Sequence, residues 1–138
     1  MRMKKIIFIL ALMSILISSM FTLTAQVNYS VTFGWDDSNC DCNEPVTMEG
    51  WIIINEYPGG TNVVTTGWFT MTTNPFTYSN SSSGLRDCVD EHPCYTVYVY
   101  VRYKDNTGTC CSGSGSENTT GQDLFSGYFT LTNQIILN

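Results

Sequence analysis

Residues 95–103 read Tyr95-Thr96-Val97-Tyr98-Val99-Tyr100-Val101-Arg102-Tyr103, and their alternation decides the fold class. Successive side chains of a strand point to opposite faces. Tyr95, Val97, Val99, Val101 and Tyr103 therefore share one face, while Thr96, Tyr98, Tyr100 and Arg102 share the other. Five aromatic or β-branched residues at a period of two mark the buried face of a sheet, and the second face is itself half aromatic.

Outward from this strand the same pattern recurs between turn signals. Asp105-Asn106-Thr107-Gly108 closes the run on one side. Upstream, Val27 to Trp35 alternates strictly, with Val27, Tyr29, Val31, Phe33 and Trp35 on one face. A second run, Val46 to Glu56, stops at Tyr57-Pro58-Gly59-Gly60, residues that preset or relax φ in turns. A third covers Asn62 to Met71 with a bend at Gly67, and Asn74-Pro75 opens a short fourth, Phe76 to Ser79. Residues 80–94 read as a loop, Ser112 to Gly121 as a Ser/Gly/Asn/Thr-rich connector, and Leu124 to Leu137 as one bent or two short final strands. With no helical period downstream of residue 25, the pattern predicts an all-β fold. About six to seven antiparallel strands at this spacing suggest a β-sandwich.

Before this region lies a different kind of sequence. Arg2, Lys4 and Lys5 precede an apolar run from Ile6 to Leu16, then small and polar residues up to Ala25. That composition predicts a cleaved signal peptide over residues 1–25 and a single domain over residues 26–138. The apolar run is too short and too interrupted by serine for a lasting membrane span. The expected destination is secreted, periplasmic or cell-surface.

The leader holds three of the six basic residues and none of the twelve acidic ones, so the remainder carries three against twelve, a net charge of −9. Only Arg86, Arg102 and Lys104 remain to meet phosphates, which argues against nucleic acid as a partner.

Six cysteines, Cys40, Cys42, Cys88, Cys94, Cys110 and Cys111, all follow the leader, and an even number in an exported chain reads as three disulfides. If the strands run up and down in turn, loops after odd-numbered strands gather at one end. Cys40/Cys42 and Cys110/Cys111 then share an end, and Cys88/Cys94 lie at the other, a strand length of roughly 30 Å away. The expected pairs are Cys88 with Cys94 and one doublet with the other; the partners within the doublets stay open. Neighbouring Cys110 and Cys111 would point oppositely in a regular strand, so at least one doublet needs turn geometry. The Cys-x-Cys and Cys-Cys spacings are not those of a zinc knuckle.

Few residues offer chemistry. His92 sits before Pro93 with Asp90 and Glu91 beside it and reads as a solvated loop histidine; no Gly-x-Ser-x-Gly elbow or second histidine accompanies it, so no enzyme is expected. Asp36, Asp37, Asn39, Asp41 and Glu44 crowd the end of the first strand. Their Asp37-x-Asn39-x-Asp41 spacing matches the start of a calcium loop, but Cys42 stands where the EF-hand needs glycine and Met48 where it needs glutamate. Calcium is therefore a candidate ligand, against the plainer reading of Asx turns. Trp51, Trp68, Tyr98 and Tyr100 could serve as a strip for stacking on sugar rings. The two tryptophans are better expected in the core, which in a small sandwich needs large side chains. The half-polar face of Tyr98, Tyr100 and Arg102 is the candidate binding surface.

Val31-Thr-Phe-Gly-Trp35, an early core strand, and Leu85 upstream of Tyr95-Thr-Val-Tyr-Val-Tyr-Val101 together resemble a fibronectin type III or immunoglobulin-like module of a small secreted bacterial protein. The family's first strand has no counterpart, and the loop from Leu85 to Tyr95 is longer. The resemblance implies a two-sheet sandwich. The functional expectation is a non-catalytic binding or structural module of the cell surface, periplasm or matrix, with a protein or glycan partner. The alternatives are a carbohydrate- or calcium-dependent binder and a small secreted enzyme or enzyme inhibitor. An exposed aromatic row would favour the carbohydrate binder; a pocket around His92 with buried acid would favour the enzyme.

Overall fold

The computed structural model of the chain describes residues 25–88 and 92–138; the expected leader, except Ala25, and Asp90 and Glu91 beside His92 lie outside them. Of the described residues, 53% are in strands and 5% in helix. Strands β1 (Val27–Phe33), β2 (Trp35–Asp36), β3 (Thr47–Glu56), β4 (Asn62–Thr65), β5 (Phe69–Thr70), β6 (Phe76–Ser82), β7 (Tyr95–Asp105) and β8 (Gly108–Thr119) precede a helix α1 (Gly121–Ser126) and strand β9 (Ile135–Ile136).

The long strands form antiparallel sheets. One runs β4-β3-β7-β8 with β5 also paired to β3, and the other pairs β1 with β6. β7 lies between β3 and β8, opposing Val99 to Ile52 on one side and to Gly115 on the other. Its inner face obeys the alternation: Tyr95, Val97, Val99 and Val101 are at most 1% exposed. They join Val31, Phe33, Trp35, Ile52 and Ile54 in one core. Each such side chain removed from water contributes roughly 1.5–3 kcal/mol. Phe69 ties the two sheets together, stacking 5.8 Å from Phe76 and 4.5 Å from Tyr78.

The run expected as one strand from Val27 to Trp35 keeps its inner face but changes partner at Gly34. The side chain of Asn74 takes the place of a neighbouring strand, accepting from Trp35 N and donating to Trp35 O. β2 then pairs in parallel with β9.

Two further expectations fail, and both failures involve tertiary contacts. The stretch read as a connector is β8, the longest strand. Its inward positions 113 and 115 are glycines because Ile136 O and the Leu131 side chain stand where a Cβ would go, 2.2 and 2.8 Å away. Leu124–Leu137 begins as a helix: the Thr120 hydroxyl accepts from Asp123 N at its start, and Gly127 at φ 77° ends it. Hydroxyl capping and a left-handed glycine delimit so short a helix without any amphipathic period. From Phe129 the chain runs beside β1 and β2, with bonds from Leu131 N to Thr32 O, Ile135 N to Gly34 O and Leu137 N to Asp36 O. On its other side Asn138 exchanges two bonds with Ser112 of β8.

The disulfides are Cys40–Cys111, Cys42–Cys110 and Cys88–Cys94. A β-bulge supplies the turn geometry that the doublets need. Tyr103 opposes Cys111 and Lys104 opposes Thr109, leaving Cys110 as the extra residue of β8. A bulge re-aims a side chain that alternation would send to the opposite face. Both sulfurs thereby reach the loop carrying Cys40 and Cys42. Closing the 71-residue separation between Cys40 and Cys111 restricts the unfolded chain by about 4 kcal/mol in the chain-entropy picture. The neighbouring bond adds less, because the first already closes most of the same loop.

Candidate functional site

The outer face of the five-stranded sheet is built by the same register that buries the inner one. Trp51 opposes Tyr100, Ile53 opposes Tyr98, and Glu49 opposes Arg102. On β8, Ser114 opposes Tyr100, Ser116 opposes Tyr98, and Ser112 opposes Arg102. The outward row therefore passes from aromatic on β3 and β7 to hydroxyl on β8.

The two tryptophans are not in the core; that place belongs to Trp35, 1% exposed, whose Nε1 donates to Tyr103 Oη at 2.9 Å. Trp51 is half-buried on the outer face and Trp68 is 38% exposed. The reason is positional. Trp51 is out of phase with the buried Ile52 and Ile54, and Trp68 follows Gly67, whose φ of 69° turns the chain between β4 and β5. Trp68 packs edge-on against Trp51 at 5.3 Å, and Trp51 lies 6.2 Å from Tyr100. Trp51 Nε1 donates to Thr65 Oγ1 at 2.9 Å, fixing its ring. The Arg102 guanidinium lies 3.8 Å from the Trp68 ring centre. Its Nε and Nη2 both reach Glu49 Oε2 at 2.7 Å, and Lys104 Nζ stands 3.8 Å from Glu49 Oε1. The aromatic row is thus held rigidly, and its cation is paired.

Of the proposed binding residues, the structure brings Tyr98, Tyr100 and Arg102 onto this one face and leaves Tyr100 36% exposed. A shallow depression of about 370 Å³ opens there, lined by Trp68, Tyr100, Val101, Arg102, Thr109, Ser112, Gly113 and Ser114. Its hydroxyl wall could not be anticipated while residues 112–121 read as a connector.

The acidic set at the end of the first strand is dispersed among local tasks. Asp36 Oδ1 accepts from Ser38 N, a bond that lowers the Asp36 pKa. Asp37 Oδ2 accepts from Tyr103 Oη at 2.5 Å. Burial, and then this carboxylate, raise the Tyr103 pKa. Glu44 Oε2 accepts from Val46 N, and Asn39 and Asp41 lie exposed. Asp37 and Glu44 line a second depression beside Cys40 and Cys42. Among the described residues, no three of the four carboxylates Asp36, Asp37, Asp41 and Glu44 bring oxygens within 4.8 Å of one another; the cluster of that kind is of sulfurs, from Cys40, Cys42 and Cys111. Those sulfurs are spent in disulfides, and no cysteine is free.

The third place is a depression of about 590 Å³ at the opposite end, lined by Tyr57, Pro58, Arg86, Asp87, His92 and Tyr95 among others. Among the described residues its acids are Glu56, paired with Arg86 at 3.0 Å, and the exposed Asp87. His92 is exposed too, and among the described residues neither acid of the depression is a buried carboxyl.

Among the described residues no helix is long and apolar enough to cross a membrane. Comparison with known proteins finds no matching family model, no matching curated protein and no matching solved structure.

Proposed function

We propose that the chain is an exported, non-catalytic binding module of immunoglobulin-like type, and that it binds through the outer face of the β3-β7-β8 sheet. The observation carrying this reading is the exposed, prepacked row of Trp68, Trp51 and Tyr100 with Arg102 beside it. Large aromatic side chains left at a surface while a separate core is complete mark a contact site, and Trp, Tyr and Arg are the residues that dominate such sites.

Strand order and one hydrogen-bonded corner support the fold assignment. In the immunoglobulin pattern strands C, F and G form one sheet while B and E belong to the other. In this reading β3, β7 and β8 correspond to C, F and G, and β1 and β6 to B and E, which the pairing of β7 between β3 and β8 and of β1 with β6 supports. In this reading the segment from Phe129 to Asn138, bonded to the backbone of Thr32, Gly34 and Asp36, stands in for the missing first strand. Tyr95, at the start of β7, accepts from Arg86 N and donates to Arg86 O, both at 2.8 Å. A tyrosine at the start of strand F bonding back to upstream backbone is a hallmark of these modules. Three disulfides and the acid-rich surface suit an oxidising, extracytoplasmic setting.

Labelled protein should adhere to the surface of the cells that produce it. Trp68→Ala and Tyr100→Ala, each with an unchanged melting temperature to within a few degrees, should weaken that adherence at least tenfold, equivalent to about 1.4 kcal/mol. Undiminished adherence by both variants would exclude this face as the binding site.

A further inference from the structure

Resting on that reading of the face, we infer that its ligand is an uncharged polysaccharide seated in the depression between Trp68, Tyr100 and the hydroxyls of β8. The lining chemistry selects this class. One side is aromatic, from Trp68 and Tyr100; the other is a bank of hydroxyls, from Thr109, Ser112 and Ser114. A pyranose ring has the matching duality, with C–H groups on its faces for aromatic surfaces and hydroxyls around its rim for polar partners. Val101, the aliphatic residue of the lining, is 0% exposed, so an aliphatic protein knob would find no aliphatic surface there.

Charge narrows the class. Among the described residues Arg102 is the only ion lining the depression, and two of its nitrogens are committed to a single oxygen of Glu49. A carboxylated or sulfated glycan would have to displace Glu49 to gain a bidentate contact, against the general repulsion of a domain whose residues 26–138 carry −9. A neutral chain meets no such cost. It can still accept a hydrogen bond from the guanidinium hydrogens that Glu49 does not use, since arginine has five donors. Because the depression is shallow, one sugar unit fills it weakly; successive units of a polymer can continue along Tyr100 toward Tyr98 and Ser116 on the same outward face.

The test uses polysaccharide extracted from the envelope of the producing cells and divided by anion exchange into uncharged and anionic pools, each cast into native gels. The uncharged pool should retard the wild-type protein, and prior periodate oxidation, which opens vicinal diols, should abolish the effect. Tyr100→Ala should reduce retardation at least tenfold. Ser114→Val, on the opposite wall, should do the same, so the test survives poor folding of either variant. Retardation by the anionic pool alone, or by neither pool, overturns the inference. The parent reading fails separately: if cell adherence resists periodate but still needs Tyr100, the face is right and the ligand is not a glycan; if adherence ignores Tyr100, the face itself is wrong.

Discussion

The two faces of β7 differ in fate although their residues differ little in kind. Tyr95 and Tyr103 on one face are 1% and 9% exposed, whereas Tyr100 on the other is 36% exposed. What separates them is what lies across from each. The inner residues belong to one core with Ile52, Ile54 and the C-terminal Leu131, Ile135 and Leu137, while the outer ones meet side chains of their own sheet, Trp51, Trp68 and Glu49 among them, and the serines of β8. An aromatic-rich strand therefore does not by itself imply a sheet covered on both sides, and where one face stays open, its aromatic residues are available for contact.

The largest expected difference between the faces is in stability. Ile52→Ala, on the inner face opposite Val99, should cost 2–5 kcal/mol as a core truncation, roughly. Tyr100→Ala should cost about 1 kcal/mol, the worth of its aromatic pair with Trp51. Denaturant unfolding of the two variants measures both, and equal losses would show the outer face to be covered after all.

A smaller contrast lies within β8. Gly113→Ala places a methyl against Ile136 O and should destabilise by about 1–3 kcal/mol as an overpacked site. Ser114→Ala, one residue along and facing outward, should stay within about 0.5 kcal/mol. Thermal melts of the pair would sharpen the assignment of faces, and a tolerated Gly113→Ala would show the C-terminal segment to be loosely held.

The smallest effect is expected where β7 and β8 join. Asp105 accepts from Thr107 Oγ1 and N and from Asn43 N, and these bonds lower its pKa to about 2. A carboxyl depressed in the folded state contributes stability that is present above its unfolded pKa, near 4, and lost as pH falls toward 2. The melting temperature should decline over that window, less steeply for Asp105→Asn. An unchanged acid slope in the variant would assign the decline to other carboxyls, Asp36 first.

Much of the fold was legible because alternation is a local property. The inner residues of β1 and β7, the turn at Tyr57–Gly60 and the hairpin turn at Asp105–Gly108 all follow from neighbours in sequence. The grouping of the cysteine doublets needed only the alternating direction of strands. Residues 112–119 were illegible for the converse reason. Their serines and glycines have little strand preference of their own, and they are extended because β7 on one side and the C-terminal segment above them require it. Trp68 was misplaced on size alone, since residue volume says nothing of which side of Gly67 the chain will turn. The acidic loop offered a metal-like spacing, but spacing along a chain does not show that Asp36, Asp37 and Glu44 each accept from a donor of their own.

The closing segment also sets the order in which this molecule can fold. Leu137 is 0% exposed and Ile135 2%, and both bond to backbone of the first strands, about a hundred positions earlier in the chain. Synthesis delivers the N-terminal strands first, yet their core stays open on one side until residue 137 has been made. Contacts of such long range form slowly. A ribosome-bound chain stalled before Phe129 should thus remain sensitive to protease throughout, and the domain becomes resistant only in one late step.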